Sequence, residues 1–217
     1  MIERTQNGRA RFREVADSLK TAIVKGELKP GQRLVEVKLC ELFSVKRNTV
    51  REALRKLEHD GFVKITPNIG AVVAEFTRTD IEQVYDLLSV LEGLAVRLAT
   101  PFITAEQIEG LGALIERMEA TDKLAPFARY NDDLHTMFCM YSENSRLISI
   151  TENLRLGMKA FGLRSFHTPG QIVASNTEHK AILEAIKQNK PVRAERIMRD
   201  HVVDAKTRLI KWMYRSL

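Results

Sequence analysis

Three histidines in the second half of the chain carry the side chains best suited to metal binding. His135, His179 and His201 fall in three separate predicted helices. Asn131 lies one helical turn before His135, so both should lie on the same side of their helix, and Asp132 is a second candidate oxygen donor. Imidazoles from separate helices with one oxygen donor would suit Zn²⁺, Ni²⁺ or Mn²⁺ with positions left open. The alternative is that each histidine is an ordinary capped or solvated helix residue.

A second chemical pattern lies in residues 46–57, which are predicted to form a helix with one apolar and one polar face. The apolar positions recur at i, i+3, i+4 and i+7, as Val50, Ala53, Leu54 and Leu57. The start of the polar face carries residues that can hydrogen-bond base edges and phosphates in a major groove, namely Arg47, Asn48, Thr49 and Arg51. This pattern predicts a DNA-recognition helix. The alternative is a fold of the same kind that contacts only proteins.

The elements around this helix predict a winged helix-turn-helix. Residues 12–25 form a first helix, and residues 35–43 form a second whose buried side is expected to hold Leu34, Val37, Leu39 and Leu42. Residues 44–46 have the length of the tight connection in a helix-turn-helix. Residues 62–65 and 71–74 are β-prone, and the Pro, Asn and Gly between them are typical of a hairpin loop.

The remaining residues predict an all-α bundle of six helices. The first is capped at Thr79 or Asp80 and ends before Pro101, and the second follows a capping-box pattern at Thr104 and Gln107. The others are expected at residues 125–142, 145–166, 173–188 and from Pro191 onward. The predicted organisation is therefore a winged helix-turn-helix at 1–74, a linker at 75–78 and a helical domain at 79–217.

The charge is concentrated in the first of these domains. Residues 1–78 contain 16 Lys and Arg against 10 Asp and Glu, whereas residues 79–217 contain 18 of each. Because neutralised phosphates release counterions, this asymmetry favours a polyanion such as double-stranded DNA as the partner of the first domain.

The sequence also indicates the cellular compartment in which the protein is expected. Residues 1–13 are polar and charged, unlike an export signal, and no run approaches membrane-spanning length. Cys40 and Cys139 fall in different predicted domains without ligand-like spacing, and are expected to be reduced core residues. We therefore expect a cytoplasmic protein.

The first domain resembles that of GntR-family bacterial transcription regulators. The similar runs are GELKPGQRL at 26–34, VREALRKLE at 50–58 and DGFV at 60–63. The resemblance implies that Arg33 grips a phosphate, that Arg47 and Arg51 read guanines or clamp the backbone, and that Gly70 lies at the wing tip. Lys46 stands where the family often has Ser, and Ser44 stands where it often has Gly.

The second domain resembles the FCD (FadR C-terminal domain) subfamily, in segments around His135, His179 and His201. In that subfamily an acidic residue and three histidines commonly bind a divalent metal, with a small carboxylate effector beside it. The acidic position falls on Asn131 here, so either the amide binds the metal more weakly or Asp132 takes part. The subfamily's usual Arg upstream of Glu92 is replaced by Leu88.

These patterns together predict a sequence-specific transcription regulator whose helical domain senses an organic acid at a metal, with zinc expected and nickel or manganese as alternatives. A homodimer is expected, because two recognition helices can then read a pseudo-palindromic operator. The competing hypothesis is a metal-dependent hydrolase or oxygenase fused to a winged helix. That enzyme needs a general base, and Glu178 adjoins His179 in sequence but points about 100° away from it on a helix.

Overall fold

The described part of the chain forms a winged helix-turn-helix followed by six helices. The computed structural model describes residues 3–67, 69–75, 77–160 and 169–213, with their side chains except those of residues 3–10, 159, 160 and 169. Contacts divide these residues into two units: residues 3–75 with 156–160, and residues 77–155 with 169–213. Within these ranges we find no helix with the length and apolar character that a membrane span requires.

The first unit contains three helices and a three-stranded antiparallel sheet with strand order β1-β3-β2. The elements are α1 (Glu3–Val24), β1 (Arg33–Leu34), α2 (Glu36–Phe43), α3 (Arg47–His59), β2 (Val63–Thr66) and β3 (Gly70–Val73). In the hairpin Val63 pairs with Val73 and Thr66 with Gly70. The helix-turn-helix and hairpin were predicted, whereas β1 was not, and α1 begins well before residue 12.

Two turn residues have backbone angles that L side chains rarely adopt. Ser44, at the end of α2, has a φ of 51°, and Gly70, at the β2–β3 turn, has a φ of 91°. Gly70 meets this requirement without steric cost because it has no Cβ. The left-handed angle at Ser44 explains physically why glycine would suit that position.

The core of this unit contains the apolar face of α3. Val50, Ala53, Leu54 and Leu57 are all at most 1% exposed, as the periodicity predicted. The predicted buried side of α2 is wrong in part: Leu39 is buried, but Val37 is 58% and Leu42 is 72% exposed. Residues two apart on a helix lie about 200° apart, so Leu39 and Val37 cannot both face one core.

The six predicted helices follow, and all of their described residues except 156–160 belong to the second unit. They are α4 (Arg78–Ala99), α5 (Ala105–Glu119), α6 (Leu124–Met140), α7 (Ser145–Ala160), α8 (Pro169–Lys187) and α9 (Pro191–Met213). α9 packs along α4 and α8, and α6 packs against α4 and α5. α8 begins four residues earlier than predicted, and the part of the α7 prediction at 161–166 lies outside the described residues.

Capping fixes where two of these helices begin. The Thr104 and Gln107 box is present at α5 as predicted. At α4 the predicted cap was wrong, because the cap is Thr77. The Asp80 carboxylate accepts from the Thr77 backbone N–H at 2.8 Å, and the Thr77 hydroxyl accepts from the Asp80 N–H at 3.2 Å. Asp80 is therefore the third helical residue of a capping box.

Candidate metal centre and nucleic-acid interface

The structure brings the three predicted histidines together inside the helical unit. His135 lies on α6, His179 on α8 and His201 on α9, with exposures of 2%, 0% and 4%. The His135 Nε2 atom lies 3.4 Å from Nε2 of His179 and 3.3 Å from Nε2 of His201. One ligand atom from each of the three lies within 4.8 Å of the others.

His135 is oriented by a buried ion pair that the sequence did not reveal. Its Nδ1 donates to Oε2 of Glu92 at 2.8 Å. Glu92, on α4, is fully buried and also accepts two bonds from Arg155 on α7, at 2.5 and 2.7 Å. A carboxylate that accepts from Nδ1 fixes the tautomer in which Nε2 carries the lone pair. Arg155 therefore acts on His135 through Glu92.

His201 is oriented in the same way by a second pair. Its Nδ1 donates to Oε2 of Glu178 on α8 at 2.6 Å. Arg208 donates to both oxygens of Glu178, at 2.7 and 3.0 Å. Glu178 thus contacts a histidine of another helix. This agrees with the expectation that Glu178 and His179, as neighbours on one helix, point in different directions.

The charge states around the cluster follow from burial and from these pairs. Burial and the Arg155 charge lower the pKa of His135 to about 4, although Glu92 opposes them. Burial also holds the pKa of His179 well below its usual value. Burial raises the pKa of Glu178, but hydrogen bonds from His201 and Arg208 outweigh it and bring this pKa to about 2. At neutral pH the imidazoles of His135 and His179 are therefore neutral, and the Glu178 carboxylate is ionised.

This arrangement fits a metal ion. With its Nδ1 donating to Glu92, His135 directs its Nε2 lone pair toward the Nε2 atoms of His179 and His201, at 3.4 and 3.3 Å. A divalent cation among these three nitrogens could accept a lone pair from each imidazole. Tetrahedral Zn²⁺ with Zn–N bonds of about 2.0–2.1 Å separates its ligand nitrogens by roughly 3.3–3.4 Å, close to the observed spacings.

The two candidate oxygen donors differ in burial. Asn131 is 8% exposed and shares the inner side of α6 with His135, as their spacing predicted. Asp132 is half-buried on the neighbouring position. Both therefore lie within the first turn before the histidine, and Asn131 lies on the buried side.

The predicted DNA-contacting residues lie on the surface of the first unit. The Arg47 and Arg51 side chains are 62% and 50% exposed on α3. Lys46, which precedes α3, is exposed, as are Asn48, Arg33 and Gly70, while Thr49 is half-buried. The buried face of α3 faces the core, so its polar start remains available to a ligand.

A residue that sequence reasoning missed lies beside this surface. Glu36, the first residue of α2, accepts a 2.5 Å bond from Nε of Arg47 and bonds of 3.1 and 3.2 Å from Nε of Arg51. An acidic residue at a helix start is common, since it complements the helix dipole, so the sequence carried no specific signal for this contact.

Comparisons with known proteins agree with this architecture. Residues 12–73 match the family of bacterial regulatory proteins called gntR, and residues 83–204 match the FCD domain. The chain is 28% identical over 190 residues to the uncharacterized HTH-type transcriptional regulator YdhC of Bacillus subtilis, covering 84% of each chain. It is 29% identical over 221 residues to the Glc operon transcriptional activator of Escherichia coli, covering 90% of this chain and 87% of that protein.

A solved structure agrees in fold. The structure described as a putative transcriptional regulator GntR from Rhodococcus sp. RHA1 aligns with a TM-score of 0.72 at 21% identity. The alignment covers 93% of this chain and 98% of that one. The two units therefore occur together in a solved protein.

Proposed function

The chain belongs to the gntR family of bacterial regulatory proteins and carries an FCD domain, and from this premise we propose that it regulates transcription in response to an organic acid bound at a metal. Its families and relatives are DNA-binding transcription regulators rather than enzymes. The proposal adds the metal and the acid. The observation that carries it is the convergence of the three buried imidazoles, with Nε2 of His135 lying 3.4 Å from Nε2 of His179 and 3.3 Å from Nε2 of His201.

The proposed metal ligands are Nε2 of His135, His179 and His201, with an oxygen from Asn131 or Asp132. Three imidazoles suit zinc, and also nickel or manganese. A bound divalent ion would act as a Lewis acid toward a carboxylate. The chain's own residues orient the imidazoles, because Glu92 and Glu178 fix the rings of His135 and His201. Such hydrogen-bond partners of ligating histidines contribute roughly 10–100-fold to metal affinity.

Polar groups on α8 support a ligand site beside the metal. Ser175, Asn176 and His179 are 1%, 5% and 0% exposed and lie within two turns of one helix. Among the described residues, Ser175 Oγ, Asn176 Oδ1 and His179 Nδ1 have no hydrogen-bond partner. Buried polar atoms without partners are uncommon and point to a water, ion or ligand that completes them. A small acid with hydroxyl groups offers such partners.

The enzyme alternative receives no support from the site. A metal hydrolase or oxygenase needs a general base near the metal. Glu178 is already held by His201 and by both bonds from Arg208, and its lowered pKa makes it a weak base.

The rest of the proposal concerns assembly. We propose a cytoplasmic homodimer in which residues 1–74 bind a pseudo-palindromic operator, residues 75–78 link the domains, and residues 79–217 bind the effector and the second copy. Two-fold symmetry would place the two α3 helices on successive major-groove faces. The acid would change operator affinity only if it bound one arrangement of the dimer more tightly than another, and if the two arrangements differed in their affinity for DNA.

The metal-centred mechanism is tested with an operator, the duplex that wild-type protein selects from a random pool. This operator is titrated with wild-type protein, before and after metal removal, with and without candidate organic acids. We expect at least one acid to shift operator affinity only in the metal-loaded protein. A full response in metal-free protein would reject the mechanism and leave the histidines as core polar residues.

The oxygen ligand is tested by two isosteric changes. Asn131→Asp should tighten metal binding, because an anionic oxygen binds a divalent cation better than an amide does. Asp132→Asn is the matched change one residue away and should leave affinity nearly unchanged if Asn131 is the ligand. If metal titration shows weaker binding for Asp132→Asn and little change for Asn131→Asp, Asp132 is the oxygen ligand.

The DNA contact is tested by Arg47→Ala and Arg51→Ala. If these arginines read bases, each change should cost about 1–3 kcal/mol on the selected operator and leave binding to random duplex nearly intact. Lys46→Ala should instead weaken both duplexes alike, as expected for a phosphate contact. Equal losses on operator and random duplex for Arg51→Ala would remove its base-reading role.

A further inference from the structure

Glu36 holds two arginines of the proposed recognition surface at once. Both of its oxygens are used, Oε2 by Arg47 and both oxygens by Arg51. The Glu36 side chain is 27% exposed, less than either arginine. The hydrogen bond from Arg47 lowers the pKa of Glu36, so the carboxylate is ionised at neutral pH. Two positive charges on this face are thus offset by one negative charge.

Both arginines donate to Glu36 through their Nε atoms. These bonds leave the Nη1–Nη2 edge of each guanidinium outside the contact with Glu36. That edge is a planar pair of donors that matches O6 and N7 of guanine. An arginine anchored through Nε loses less freedom when it meets a base, because its fork is already oriented.

We propose that Glu36 is a positioning residue for sequence discrimination. It holds the guanidinium groups of Arg47 and Arg51 in place before DNA binds, and it disfavours contacts between these groups and phosphates. The inference rests on the proposed DNA contacts of these two arginines. A carboxylate close to the DNA surface repels every phosphate, whichever sequence is bound. On a matched site, base contacts from the oriented guanidinium groups offset this repulsion. On unrelated DNA there are no such base contacts, so the repulsion is not offset. Glu36 therefore weakens non-specific binding more than specific binding.

The test is Glu36→Gln in the full-length protein, measured on two probes. One probe is a short duplex of random sequence, and the other is the duplex that wild-type protein selects from a random pool. We expect affinity for the random duplex to rise several-fold, and its slope of log affinity against log salt to steepen by about one, since one more phosphate is neutralised. The preference for the selected duplex should fall by about tenfold.

Two variants separate positioning from folding and from net charge. Glu41→Gln removes the same charge from an exposed position of the same helix and should keep the wild-type preference. Glu36→Asp keeps the charge and should keep most of the salt slope. A Glu36→Gln protein that melts like wild type but keeps the wild-type preference and slope would overturn the inference. Wild-type protein that selects no duplex would overturn the proposed sequence-specific function, and this inference with it.

Discussion

Changing His179 to alanine is expected to abolish stoichiometric metal binding and the response to an organic acid, while leaving operator affinity without effector at its wild-type value. His179 is fully buried, and its Nε2 lies 3.4 Å from Nε2 of His135. Removing one of three protein nitrogens should weaken the site by more than the roughly 10–100-fold that an outer partner contributes. The proposed DNA-contacting residues lie in the other unit and are unchanged in this variant.

A graded series makes this expectation specific. Glu178→Gln, one residue away, replaces the carboxylate behind His201, which also pairs with Arg208, by a neutral amide and should lower metal affinity by roughly 10–100-fold. His59→Ala removes an exposed imidazole of the first unit and should change nothing. Metal content and operator affinity are measured on all three proteins, with thermal melting as a check on folding. Unchanged metal content in His179→Ala would contradict the ligand assignment.

The second large effect is expected from Arg155→Ala, which leaves the Glu92 carboxylate buried without its cation. Glu92 is fully buried, and both of its oxygens accept bonds from Arg155. Breaking one partner of a buried ion pair typically lowers the free energy of unfolding by about 3–5 kcal/mol. Urea unfolding of the metal-free protein at neutral pH measures this loss without a contribution from the metal.

The control variants isolate the uncompensated charge. Arg146→Ala removes an exposed arginine from the same helix and should change stability by less than about 0.5 kcal/mol. Adding Glu92→Gln to Arg155→Ala neutralises the carboxylate and should recover much of the loss. If Arg155→Ala and Arg146→Ala are equally stable, Arg155 does not compensate the Glu92 charge.

The fold could be predicted from sequence where one residue pattern had one structural solution. The stripe of Val50, Ala53, Leu54 and Leu57 allowed only one buried face for α3, and the structure confirms it. In α2 apolar residues occur around most of the helix, so composition did not tell which side faces the core. The two-residue strand β1 was missed because a segment that short shows no alternation.

The histidine cluster was predicted, but the residues that hold it were not. Arg155 meets Glu92 from 63 residues away, and Arg208 meets Glu178 from 30 residues away. Such contacts depend on how helices pack, which local spacing does not determine. One signal was present: Glu92 lies four residues after Leu88 and four before Val96, both buried. A carboxylate on an apolar stripe requires a buried cationic partner.

The most direct test is a calorimetric titration of chelator-treated wild-type protein with Zn²⁺, repeated with Ni²⁺ and Mn²⁺. The proposed centre predicts saturable binding of one ion per chain, and none in a variant with His135, His179 and His201 all changed to alanine. No saturable binding to wild-type protein, or equal binding to the triple variant, would show that these histidines do not form a metal site.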